Sequence, residues 1–171
     1  MERDPVKGGA EIENSGQSRT PGERAFPNVA RFFFALWYLL GSLVHTTFGL
    51  LNRQIYEVFG RTALFSAFRQ LWTSVVLPHI TLFALLLAAF EVTVGILLLS
   101  RGRYVKIGLM ASVLFNLFLV QLGLGYPGIQ GSARDFLLNR LPNLLFALLQ
   151  CPLFLVHFDR SVPELLRARL R

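Results

Sequence analysis

Four long apolar runs, almost free of formal charge and separated by short stretches where charges crowd, dominate the chain from residue 29 onward. An α-helix needs about 20 mainly apolar residues to cross the hydrocarbon of a bilayer. Phe32 to Leu51 meets that length and is fenced by Arg31 and Arg53. The second run extends from about Val75 to Leu99 and contains one formal charge, Glu91. The third covers about Val105 to Tyr126, with Lys106 close enough to its start to snorkel to the interface. The fourth, Leu141 to Phe158, lies between Arg140 and Asp159. It is short for a span, so its helix is expected to reach a turn upstream through Phe136 to Asn139.

Buried helices of soluble proteins keep one polar face, and these runs are apolar nearly all round. Membrane strands alternate over only about ten residues, so the length of the runs excludes them. The pattern therefore predicts an all-α, polytopic membrane protein, a four-transmembrane-helix bundle. Between the first two spans, Asn52 to Ser74 carries Phe65, Phe68, Leu71 and Trp72 at helical spacing. A short interfacial helix is expected there, with Trp72 at head-group depth. The link after Leu99 is a tight basic turn, and the one from Gly125 to Asp135 reads as an irregular, Gly-rich loop. Pro152 falls inside the fourth run and should kink it.

Composition adds limits to this picture. Of the 171 residues, 53% are hydrophobic and 16% charged, below the roughly 25% charged of soluble domains. The net charge of +7 is spread over the ends of the runs rather than gathered into a patch with interleaved aromatics. It suits anionic head groups of the lipid bilayer and argues against a nucleic-acid partner. Residues 1–28 read as a disordered cytoplasmic tail, 29–158 as the transmembrane domain and 159–171 as a basic cytoplasmic C-terminal tail. The first segment has neither the apolar core of a secretory signal nor the acid-poor composition of a mitochondrial presequence, so the first span is expected to serve as an uncleaved signal. Twelve Lys and Arg fall on the side of the N-terminus and five on the other, which places both termini in the cytoplasm.

Polar residues within the runs are the candidates for chemistry. Glu91 must face the bundle interior, because an ionised carboxylate in hydrocarbon costs several kcal/mol. Interpolated along the spans, Asn116 and Gln150 fall at similar depth, giving a candidate intramembrane cluster of Glu91, Asn116 and Gln150. It would handle a proton or a ligand, or simply fasten helices through hydrogen bonds. A second layer nearer the outer face contains His45, His79, Gln121 and Asn143, as candidate contacts for a polar ligand. The chain has no metal, haem or nucleotide motif, and its lone Cys151 excludes dithiol chemistry and reads as a small buried filler. In the fourth run Asn143, Gln150 and His157 recur every seven residues and should form one inward stripe. Gly41, Ser42, Gly49, Gly95 and Gly108 are small enough to let helices approach closely.

The stretch from Phe90 to Val120 resembles the DoxX-like family of small four-helix membrane proteins. Glu91, Gly95, Leu97 to Leu99, Gly102, Arg103 and Ile107 occupy the places of that family's intramembrane acid, glycine, apolar run and basic turn. Arg31 and Gly41 add a weaker match in the first span. The resemblance implies a bacterial inner membrane and an accessory or quinone-interacting subunit of a membrane oxidoreductase, with a partner protein in that complex. A non-enzymatic structural or assembly protein is the alternative, and a small-solute carrier a weaker one, since no internal repeat or broken-helix pair is evident.

Overall fold

The computed structural model describes residues 21–169, and among them there is no strand. Helix α1 runs over Pro21–Leu51. A 3-10 turn, Arg53–Tyr56, leads into the short interfacial helix α2, Glu57–Thr62. Helix α3 covers Ser66–Leu99, α4 Arg103–Leu122 and α5 Ala133–Leu155. The chain closes with α6, Val162–Arg169. Four helices, α1, α3, α4 and α5, are long and apolar enough to cross a membrane, which leaves the two ends of the described chain on one side of the bundle.

The surface has the pattern that lipid selects. Only 28–33% of the residues in the most apolar window of each span are buried, so most of the Leu and Phe side chains face outward. The side chains turned inward include Arg31, Ser42, Glu91, Ser112, Asn116, Asn143 and Gln150. Hydrocarbon offers no hydrogen bonds, so polar groups are driven into the bundle while apolar ones need no shelter.

The main packing seam joins α1 to α3, and small residues set its spacing. A Cβ on Gly49 would fall 2.4 Å from the Cβ of Ala84, and one on Gly95 would meet Leu39 at 2.8 Å. Gly108 plays the same part between α4 and α3, where an added Cβ would meet Leu97 at 2.9 Å. These contacts bear out the reading of the glycines as packing devices. Around the seam, Phe34, Tyr38, Val94, Leu98 and Leu109 form the larger buried cluster.

Several boundaries differ from expectation. The first helix is already formed at Pro21, the first described residue and eight positions ahead of the boundary expected at 29, while residues 1–20 of the expected tail lie outside those described. The expected interfacial helix over 52–74 is two elements: α2 and the first turns of α3. At 34 residues α3 is about 51 Å long, well beyond the roughly 30 Å of hydrocarbon. A π turn at Trp72–Val76 and a 3-10 turn at Leu77–His79 interrupt it where Pro78 removes a backbone donor. Trp72 is half-buried in a helix junction, its Nε1 donating to the Tyr56 carbonyl at 2.9 Å.

The fourth span reaches upstream through Phe136 to Asn139 as expected, starting at Ala133, but ends sooner than 158. Pro152 does more than kink it: the helix tightens to 3-10 over Cys151–Leu155, and Val156 is extended. Lys106 donates to the carbonyls of Leu153 (3.2 Å), Phe154 and Val156 (2.7 Å), so it caps this broken end instead of snorkelling to head groups. Two arginines act in the same way. Arg31, fully buried, donates to Ser100 O at 2.9 Å and Arg160 O at 2.6 Å, with its guanidinium 4.7 Å from the Phe158 ring centroid. Arg140 at the opposite end donates to Val120 O at 2.9 Å, Gln121 O at 3.2 Å and the Thr62 carbonyl. Lys106 and Arg140 satisfy carbonyls at or just past helix ends that lack intrahelical partners, and Arg31 does so for Ser100 while also holding the link carbonyl of Arg160.

Candidate functional site

Span one presents Tyr38, Gly41, Ser42 and His45 at spacings of three, four and seven, hence on one face toward α3. Gly41 is what admits an acid to that face: a Cβ there would sit 2.8 Å from Glu91 Oε1. Glu91 is 5% exposed. Its Oε1 lies 3.7 Å from His45 Nε2, an ion-pair distance rather than a hydrogen bond, and its Oε2 has no hydrogen-bond partner among the described residues. On the far side of the imidazole, Nδ1 is 2.8 Å from the Tyr56 hydroxyl. Carboxyl, imidazole and phenol thus form a chain from the bundle interior to the interfacial segment.

Tyr56 belongs to the turn ahead of α2 and is buried there under Trp72 and Phe59. Burial, and then the neighbouring Glu91 charge, push its phenol above the ordinary value. At neutral pH it is accordingly a neutral hydroxyl, able to donate or accept. The arrangement offers a proton three stations: a carboxyl, a ring with two nitrogens, and a hydroxyl.

A second polar group lies toward the other end of the same face. The Tyr38 hydroxyl is 2.7 Å from Ser112 Oγ, and Asn116 Nδ2 donates to the Tyr38 hydroxyl at 2.9 Å and to Ser112 O at 2.8 Å. These groups satisfy one another and fasten α1 to α4.

The expected residues are regrouped by this geometry. Asn116 is engaged with Tyr38 and Ser112, and Gln150 Nε2 donates back to Phe146 O at 2.9 Å in its own helix. No hydrogen bond links Glu91, Asn116 and Gln150 to one another among the described residues. The two expected layers are instead joined, because His45 reaches Glu91. His79 is exposed at the 3-10 turn and stands apart. Gln121 contributes its carbonyl to Leu64 N (2.9 Å) and Arg140, while its side-chain Oε1 is buried without a partner. Asn143 is buried with Nδ2 unpartnered, and so is Gln150 Oε1. His157 lies beyond the helix end and is exposed, so the seven-residue stripe stops at Gln150. Cys151 is exposed and not a buried filler.

Beside Tyr56 an apolar cavity of about 310 Å³ opens between α3 and α4. Trp72, Phe83, Phe115 and Leu119 are among its walls. The described residues contain no group of three His, Cys, Asp or Glu side chains placed to hold a metal. What the site provides is an acid–imidazole–phenol chain at the wall of an apolar chamber. No protein-family model, curated protein or solved structure matches the chain.

Proposed function

We propose that this chain is an accessory, quinone-interacting subunit of a membrane oxidoreductase system, of the DoxX-like kind, in a bacterial inner membrane with both termini cytoplasmic. The observation that carries the reading is the Glu91–His45–Tyr56 chain beside the apolar cavity. Quinone chemistry couples electron transfer to protons and needs a dry site with a few hydrogen-bonding groups at the head. Tyr56 stands in the cavity wall, with His45 hydrogen-bonded behind it and Glu91 a proton acceptor beyond. The Lys and Arg asymmetry supports the orientation, and it survives when the carbonyl-capping Arg31, Lys106 and Arg140 are set aside.

The deciding experiment replaces Glu91 by Gln, which keeps shape and removes the titrating group. Quinone-linked electron transfer is measured in membranes containing equal amounts of folded protein. A fall of at least tenfold, matched by Tyr56→Phe, supports the reading. Unchanged transfer with unchanged folding overturns it and favours the structural alternative, in which the Tyr38–Ser112–Asn116 group and its neighbours only hold helices together.

A further inference from the structure

The cavity beside Tyr56 is unusual for its lining. None of its thirteen wall residues carries a formal charge, and Tyr56 and Trp72 bring its only polar side-chain groups. The Trp72 Nε1 is already committed to the Tyr56 carbonyl. Arg69, the nearest cation in sequence, is turned to the Ala63 carbonyl at 3.4 Å. Eight of its walls come from Ile80 to Leu87 of α3 and Phe115 to Leu122 of α4, both parts of spans, and the other five from Tyr56 and the first turns of α3, so the cavity runs from the interfacial segment into the hydrocarbon.

An apolar cavity of this size does not hold water stably. A dry 150 Å³ cavity accepts one benzene ring, so 310 Å³ accommodates roughly twelve carbons by proportion. A phospholipid would bring a phosphate to a mouth with no cation in its walls, and a second chain with nowhere to go. We propose that the cavity seats the single hydrocarbon chain of a lipid with an uncharged head, the head lying beside Tyr56. This deepens the quinone reading by naming the chain as the bound part, and it rests on that reading only for the head's redox chemistry. Because lipid is as apolar as the cavity, no hydrophobic gain drives the chain in. Selection comes from the fit of the aromatic walls and from the lack of any charge among them.

Trp72 is a built-in reporter, since Trp37 is the only other tryptophan and lies exposed on α1. Trp37→Phe protein in discs of phosphatidylcholine is titrated with the methyl ester of a dibrominated C18 fatty acid, an uncharged single chain whose bromines quench indole. The expected result is quenching that saturates near one ester per protein and is reversed by the unbrominated ester. Adding Val76→Phe and Leu119→Phe, which fill the cavity, should raise the half-quenching ratio at least tenfold. Leu119→Phe alone serves where the double change elutes abnormally, and thermal unfolding checks both. Quenching that grows in proportion to ester content, equally in the filled variant, overturns the proposal. So does saturating quenching by brominated phosphatidylcholine that the filled variant abolishes, which would make a phospholipid the occupant. Ester saturation without any effect of Glu91→Gln on quinone-linked transfer leaves the seat standing and removes the quinone reading. The converse pair of results does the opposite.

Discussion

Replacing Arg140 by Met should be among the most damaging single changes in the chain, although the residue looks like a head-group anchor in sequence. Arg140 is 3% exposed and touches three carbonyls from two other parts of the chain: Val120 and Gln121 at the end of α4, and Thr62 at the end of α2. Its Nη2 also lies 3.6 Å from Asp135 Oδ2, with side-chain exposures of 4% and 9%. Hydrogen bonds to a charged donor are worth about 1.5–3 kcal/mol each, but they do not add, and nearby interfacial water recovers part of the loss. The unpartnered Nε of Arg140 already subtracts from the native total. Breaking a buried pair by removing one member costs about 3–5 kcal/mol, because the remaining charge is stranded. We therefore expect Arg140→Met to lower unfolding free energy by about 3–5 kcal/mol, measured by denaturant titration in mixed micelles. Asp135→Asn keeps the amide partner Asn139 in reach and should restore part of it in the double variant. Arg140→Lys should recover less than half, since a point donor cannot serve both helix ends. A loss under about 1 kcal/mol for Arg140→Met, the scale of an exposed ion pair, would refute the keystone role.

Lys106→Met should strip the carbonyls of Leu153, Phe154 and Val156 of their donor, and faster amide exchange around residues 153–158 with the rest of the bundle intact is the expected signature. Gly49→Val should force α1 and α3 apart at the 2.4 Å contact with Ala84, costing about 1–3 kcal/mol in the same denaturant assay. Glu164 accepts a hydrogen bond from Ser161 N at 2.7 Å while Ser161 Oγ accepts one from Glu164 N at 3.4 Å, a reciprocal cap on α6. The Ser161 backbone bond, then its hydroxyl, hold the Glu164 carboxyl below its ordinary range. A depressed value means that the stabilisation is complete above the ordinary carboxyl range and is lost as pH falls through the folded value. The protection of the α6 amides, taken relative to their intrinsic exchange rates at each pH, should therefore fall in acid, and Glu164→Gln should flatten that dependence.

The spans were legible because charge-free length is a property of composition along the chain, and hydrocarbon accepts little else. The glycine seam was legible for the same reason: a residue without a side chain inside a leucine-rich run marks a close approach. Depth, by contrast, was inferred by linear interpolation, which treats side chains as points on their helices. His45 extends several ångströms from its backbone and crosses to Glu91, so two expected layers became one chain. Tyr56 joins that chain from outside the spans, where no depth argument reaches it, while Tyr38, the partner of Asn116, stands seven residues before His45 on the same face and is legible by that spacing. Arg31, Lys106 and Arg140 were misjudged because a cation at the end of an apolar run looks alike whether it seeks phosphates or carbonyls. The end of the fourth span followed from Pro152, whose effect depends on whether another residue can serve the freed carbonyls. Lys106 can, and the helix stops there instead of bending onward.

The reach of Arg31 has a consequence for biogenesis. Its guanidinium binds a carbonyl 129 positions later, at Arg160, after every transmembrane segment has been made. Ser100 can take one arm of the cation once α3 is made, but the opening helix must wait in the bilayer with the other arm unpartnered until residue 160 has been synthesised. A translation product cut off before Arg160 would hold its first helix by Ser100 and the Tyr38 contacts alone, with that latch half closed.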